Sequence, residues 1–236
     1  METVAKRFSS FHGILEHFQT KLSLQEELLT LKAIVEKEAH APVVLIGYSF
    51  GSFLAVLFAA QFSHLVRKLI LIGCPPFEER YAASIMETRL SRMSREEVQE
   101  LDALKRQLAD PNMSEKSLLF SRVGILIQKC DSFDPMDDDQ MVERRGNYEI
   151  YEKVWPEAKA LRSSGALLQA LQKVTCPITA LHGEWDPHPI DGAFDSLTRF
   201  IPHFRGIVLK ECGHTPCIER RASDQFFDLL QKELHS

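Results

Sequence analysis

"APVVLIGYSFGSFLAVLFAAQFSH", Ala41 to His64, decides how this chain is read. It carries no Asp, Glu, Lys or Arg, and it is long enough to cross a bilayer, which takes about 20 apolar residues. Its pattern, however, changes half-way. Pro42 opens "VVLIG", a short Val/Leu/Ile run of the kind found in strands buried on both faces of a parallel sheet. "YSFG" is a turn signal, and "SFLAVLFAAQF" then places Phe53, Leu54, Leu57 and Phe58 at helical spacing, as in a buried helix. A membrane span needs no strand, no two glycines and no turn in its middle, and no Lys/Arg cluster flanks this one closely. The segment is expected to be strand, tight corner, helix, with Ser49 at the corner between Gly47 and Gly51.

That corner has chemical consequences. A residue at so sharp a strand-to-helix turn is forced toward positive φ, which costs a non-glycine residue energy. Glycines two positions away on either side let strand and helix pass closely. The serine oxygen is lifted above the sheet edge, over a helix N-terminus with unpaired backbone N–H groups and positive potential. The amide of Phe50 is placed to face an oxyanion.

A serine used as a nucleophile needs a base, and the base an orienting carboxylate. "VRKLILIGCPP" (66–76), "CPITALHGEWDPHPID" (176–191) and "FRGIVLKECGHTPCIE" (204–219) each read as a strand ending in a loop. The second loop carries Asp186 and the third His214, so both candidates, like Ser49, follow strand C-terminal ends, where open α/β sheets bind ligands. On the residues alone, His182, His188 and His203 are rival bases, and Glu184, Asp191 and Glu211 are rival acids. Asp186, before Pro187, also suits a plain turn.

With "GYSFG", "HGEWDPHP" and "CGHTPCIE" in the order Ser, Asp, His, the chain resembles the α/β-hydrolase superfamily. The resemblance covers about residues 7–236, because "SSFHG" is similar to the loop after the family's fourth strand. It implies a mostly parallel sheet flanked by helices, with Ser49 as nucleophile, His214 as general base, Asp186 as its partner, the Phe50 amide as an oxyanion donor, and Gly47 and Gly51 as the glycines of the elbow. The implied activity is serine hydrolysis of an ester or amide in a small molecule or peptide, with a ligand-binding homologue that has lost catalysis as the alternative. Dehalogenase chemistry in this fold uses an aspartate where this chain has Ser49.

The resemblance also exposes a gap. The family sheet normally has further strands before this point and a His-Gly loop that gives a second oxyanion donor. Here only Met1–Ser10 lie ahead of Phe11 in that loop, and His12-Gly13 has the letters in the wrong place. The strand "VVLIG" is therefore expected to lack a neighbour, leaving an edge that invites pairing with another chain. The N-terminal segment, a second copy forming a homodimer, or residues of a longer protein could fill the slot.

Residues 1–75 and 175–236 are expected to form the core, and 76–174 a helical insertion where the family carries its cap. In that insertion "SREEVQELDALKRQLADPN" opens with a capping box at Ser94 and Glu97 and is apolar at Val98, Leu101, Leu104 and Leu108. "SEKSLLFSRVGILIQK" is helical, and so is 143–173, broken at Pro156 and Gly165. Its size resembles both carboxylesterase-like and proline-iminopeptidase-like caps, with no motif that separates them. Outside it, Ser23 and Glu26 form a capping box before Leu24, Leu28, Leu31 and Val35, and the last helix turns Phe226, Leu229 and Leu230 inward. "DSFDPMDDDQ" lacks the Gly and terminal Glu of a calcium loop and is expected to be solvated.

The 236 residues suit one domain with an insertion, and the chain is 44% hydrophobic and 26% charged, as soluble proteins are. A net charge of -5 disfavours nucleic acid and anionic membrane as partners. Five scattered cysteines suit reduced thiols and a cytoplasmic setting. Cys212 and Cys217 flank His214 without the second pair that a zinc quartet needs, so neither metal nor cofactor is expected. "METVAKRFSSFHG" has no apolar signal-peptide core.

Overall fold

The structure, a computed structural model, describes residues 1–136 and 147–235. Within them the chain runs through α1 (Glu2–Phe8), α2 (Leu24–Glu38), β1 (Val43–Tyr48), α3 (Phe50–Gln61) and β2 (Val66–Ile72). Then come α4 (Ala83–Ser91), α5 (Arg95–Ala109), α6 (Lys116–Asp131), α7 (Tyr148–Ser163) and α8 (Ala166–Leu171). β3 (Ile178–Gly183), α9 (Ile190–Phe200), β4 (Phe204–Leu209) and α10 (Ser223–His235) complete it.

The strands form one parallel sheet in the order β1-β2-β3-β4, an α/β architecture with helices on both faces. β2 and β3 are interior, and their continuous apolar runs are buried on both sides, Leu69 to Ile72 at no more than 1% exposure. Period two divides the core. Leu69 and Leu71 join Ile178 and Ala180 under α2, α3, α8 and α9. Ile70 and Ile72 face the other way with Leu181 and Leu209, under α1 and α10. α3 is apolar all round because it is enclosed all round: every residue from Ser52 to Ala59 is buried.

β1 departs from expectation. It was read as buried on both faces, yet only Gly47 is buried and Val43–Ile46 are half-buried. The cause is position: among the described residues β1 pairs with β2 alone, so one side of the strand is an edge. The N-terminal segment does not fill that slot. Glu2–Phe8 form a helix, so "SSFHG" follows a helix and not a strand, and α1 lies against α10, with Phe8 and Phe227 ring centroids 6.2 Å apart. His12 sits 5.4 Å, ring to ring, from His235. Phe11 and Phe18, in the connection to α2, are 79% and 70% exposed.

Ser23 caps α2 by accepting from the Glu26 amide at 3.3 Å, and at α5 Ser94 and Glu97 form the reciprocal box. Leu101 and Leu104 pack with Leu126 of α6 into a cluster of their own. Pro156 does not break its helix. α7 runs through it, losing one backbone bond, while Val154 and Ala158 stay buried on the same face; the break comes at Gly165, between α7 and α8. α4 carried no sequence signal that singled it out. Residues 137–140 of the acidic stretch, and 143–146 of the helical reading, lie outside the described residues. Asp131, the first residue of that stretch, is not solvated but buried. Among the described residues no helix is long and apolar enough to cross a membrane.

Candidate active site

Ser49 stands between β1 and α3 at φ 51° and ψ -124°, a conformation that costs a non-glycine residue energy. Two features hold it. Its N–H donates to the Ile72 carbonyl at 2.9 Å, tying the corner to β2. Gly47 lets α3 approach the strand: a Cβ there would lie 2.6 Å from the Gly51 carbonyl oxygen. Gly51 itself has open space where a Cβ would be, so the close approach is Gly47's. Phe50 is the first residue of α3, and the N–H of a first helical residue has no partner within the helix.

The three sequence candidates lie in one hydrogen-bonded chain. Ser49 Oγ is 2.8 Å from His214 Nε2, and His214 Nδ1 is 2.7 Å from Asp186 Oδ2. An ionised carboxylate only accepts, so His214 carries its hydrogen on Nδ1 and presents a bare Nε2 to the serine hydroxyl. Ser49 is half-buried, while Asp186 and His214 are 8% and 7% exposed. Burial alone pushes the Asp186 carboxyl up, but the His214 charge and hydrogen bonds from His188 and His214 outweigh it and hold it well below the usual carboxylate range. Burial likewise opposes charge on His214, and Asp186, by charge and hydrogen bond, more than reverses this, so His214 is raised above an ordinary histidine.

The rivals fall elsewhere, with two exceptions. Glu184 pairs with Lys210 at 2.5 Å, Glu211 with Arg221 at 2.6 Å, and Asp191 opens α9. His203 serves through its backbone carbonyl, which accepts from Ile178. His188 is the nearer: its backbone N–H and ring Nδ1 lie 2.9 and 2.7 Å from Asp186 Oδ1. His182 Nε2 is 2.9 Å from the His188 carbonyl oxygen and 3.7 Å from Asp186 Oδ2. Asp-Pro-His carries half of this signal, since an aspartate side chain commonly accepts from the amide two residues on. The ring contact has no local signature.

Backbone contacts fix the loops. The His214 amide donates to the Asp131 carbonyl, and the Trp185 amide to the Cys212 carbonyl, each at 2.8 Å. A Cβ on Gly183 would fall 2.1 Å from the Gly213 carbonyl oxygen, so the acid turn and histidine loop stack backbone on backbone. Glu219, fully buried, accepts from the amides of Gly213, Phe133 and Asp134. Arg89 of α4 grips Asp131 through two hydrogen bonds, 2.8 and 2.6 Å, and Arg92 donates to the Cys130 and Trp185 carbonyls. Tyr48 and Thr215 join elbow to histidine loop by hydroxyls 2.6 Å apart.

Among the described residues, Asp186, His188 and His214 have metal-ligating atoms within 4.8 Å of one another. Each imidazole already meets its own carboxylate oxygen at 2.7 Å, a charge-assisted hydrogen-bond distance, so the group is complete as a proton network.

The family model for the alpha/beta hydrolase fold matches residues 20–221. The chain belongs to the alpha/beta hydrolase family. It is 23% identical over 224 residues to 2-(acetamidomethylene)succinate hydrolase of Mesorhizobium japonicum, covering 92% of this chain and 75% of that protein. Its fold is similar to that of an esterase from Exiguobacterium antarcticum, with TM-score 0.62, 18% identity, and coverage of 100% of this chain and 86% of that one. It is also similar to a variant of the meta-cleavage product hydrolase CumD, with TM-score 0.61, 16% identity, and coverage of 99% and 84%. The chain is thus a member of a hydrolase superfamily with that superfamily's mostly parallel sheet.

Proposed function

We propose that this alpha/beta hydrolase is a serine hydrolase that cleaves an ester or amide bond through an acyl-enzyme. The observation that carries the reading is the uninterrupted Ser49–His214–Asp186 chain of 2.8 and 2.7 Å, begun at a positive-φ corner. Ser49 Oγ attacks the carbonyl carbon as its proton passes to His214 Nε2, while Asp186 holds the imidazole's tautomer and offsets its charge. The tetrahedral oxygen takes a hydrogen bond from the Phe50 amide at the positive end of α3. His214 hands its proton to the leaving alcohol or amine, and Ser49 remains acylated. Water then gives a proton to His214 and attacks the acyl carbon; return of that proton to Ser49 Oγ releases the acid.

The helical stretch α4–α8 serves in this reading as the cap. An aromatic run starts at Phe50, beside Ser49, and passes to Trp155, Tyr151 and Phe120 at ring distances of 5.9, 6.2 and 4.5 Å. It supports a substrate with an apolar group next to its carbonyl. The named relatives, an esterase and an amide-type substrate's hydrolase, support that bond class.

A second reading is a ligand-binding homologue without catalysis. Stopped-flow hydrolysis of p-nitrophenyl acetate separates the two. A p-nitrophenol burst stoichiometric with protein, absent in Ser49→Ala, is the expected result. Folded wild-type protein with no hydrolysis above buffer rules out the hydrolase reading.

A further inference from the structure

We propose that His188 is a positioning residue of the proton network: its ring Nδ1–H holds Asp186 Oδ1 so that Oδ2 is left to His214. The inference rests on the serine-hydrolase reading and goes beyond it, because the serine–histidine–carboxylate chain needs only one imidazole on the acid.

The geometry is specific. Asp186 has two oxygens, and each meets one histidine Nδ1 at 2.7 Å. A carboxylate accepts only, so the His188 ring, like that of His214, carries hydrogen on Nδ1. The backbone amide of His188 adds a second donor to Oδ1 at 2.9 Å, and His182 of β3 holds the peptide carbonyl of His188 at 2.9 Å. The carboxylate is thus clamped on one side, and its plane cannot rotate away from His214. The rings of His188 and His214 lie 4.6 Å apart, tilted by 33°. Two imidazolium rings so close would repel, so the device works only while His188 is neutral. Burial lowers His188 below an ordinary histidine despite its bond to Asp186, which keeps it neutral when His214 takes the serine proton. Other groups facing the pair and its carboxylate are His182 from β3, 3.7 Å from Asp186 Oδ2, Arg89 from α4, Asp131 at the end of α6 and Tyr48 from β1.

The His188 hydrogen bond also shares the carboxylate's negative charge. Removing it leaves Oδ1 only the backbone amide of residue 188, so more of the carboxylate's charge falls to His214, which should titrate at higher pH even as the carboxylate loses its orientation.

Three measurements test this. In wild type labelled with ¹⁵N-histidine, NMR at pH 8 should show His188 as the neutral Nδ1–H tautomer. For His188→Leu, p-nitrophenyl acetate turnover should fall in kcat by about 10- to 100-fold, the range expected for one hydrogen bond to a charged group, with KM little changed. Its acid limb should move to higher pH. His188→Asn, whose side-chain amide nitrogen takes nearly the place of Nδ1, should restore both. A His188 ring with hydrogen on Nε2, a folded His188→Leu with wild-type kcat, or an acid limb that stays or falls overturns the proposal. The NMR reading needs neither turnover nor a mutant that folds. A wild type without esterase activity therefore counts against the hydrolase reading, while the tautomer still tests the His188–Asp186 hydrogen bond.

Discussion

Two buried carboxylates sit at opposite ends of the sheet and gather partners in similar ways. Asp186, past the C-terminal end of β3, receives His214 on one oxygen and His188 on the other. Glu233 of α10 receives Lys68 of β2 and Thr179 of β3 on one oxygen, each at 2.7 Å, and Arg205 of β4 on the other at 2.5 Å. Both are nearly excluded from water, at 8% and 3% exposure, and both need their partners for the same reason: an unpaired buried charge is costly. The difference lies in what the partners can release. Lysine and arginine keep their protons at neutral pH, so Glu233 makes a clamp across three strands and a helix. Imidazole releases its proton near neutrality, and His214 leads to a half-exposed hydroxyl, so the same electrostatics at the other end can move a proton. In the proposed function, chemistry is confined to the end where the titratable partner meets a strained corner.

The comparison can be broken at either end. Ser49→Ala should have the largest effect, lowering kcat for p-nitrophenyl acetate by about 10⁶ with the fold intact by circular dichroism. Asp186→Asn should cost about 10⁴ in kcat, because the amide favours the wrong His214 tautomer, and should leave KM nearly unchanged. Glu233→Gln inverts the pattern. It removes the charge that Lys68 and Arg205 share, so urea unfolding should show a loss of roughly 3–5 kcal/mol, while turnover per folded molecule is unchanged. Burial alone would raise the Glu233 carboxyl, but Lys68, Thr179 and Arg205 prevail and lower it. The clamp's stability is therefore present above the unfolded glutamate value of about 4.3 and is lost as pH falls through the lower folded value. Gly47→Ala should cost about 1–3 kcal/mol and reduce turnover, since α3 must move off the elbow. The smallest effect is in the pH profile of kcat/KM. Its acid limb, set by the raised His214, should lie above the ordinary histidine value of about 6.5.

Much of the site was legible because each piece is local. A Val/Leu/Ile run, a G-x-S-x-G corner and an apolar helix follow one another without a gap, and each of the other two candidates follows such a run. Ser94 with Glu97 was equally plain, because a capping box is complete within four residues. What escaped depends on distant residues. The exposure of β1 turns on which strand lies beside it, which "VVLIG" cannot encode; the open edge was expected only from the family resemblance. Glu2–Phe8 was read through its resemblance to a strand-and-loop, yet its apolar Val4 and Phe8 are one helical turn apart and pack as a helix against α10. Pro156 was read as a stop, since local rules do not count the burial on either side of it. His188 was read as a rival base to His214, because its place beside His214 on one carboxylate arises only in the folded chain.

The central claim is that the chain bends at Ser49 to bring a hydroxyl within reach of His214, and covalent labelling tests it most directly. After incubation with a fluorophosphonate, peptide mass mapping should find one adduct, on Ser49, in wild-type protein and none in folded His214→Ala. A folded wild-type protein that takes no label, or takes it equally on other serines, contradicts the account.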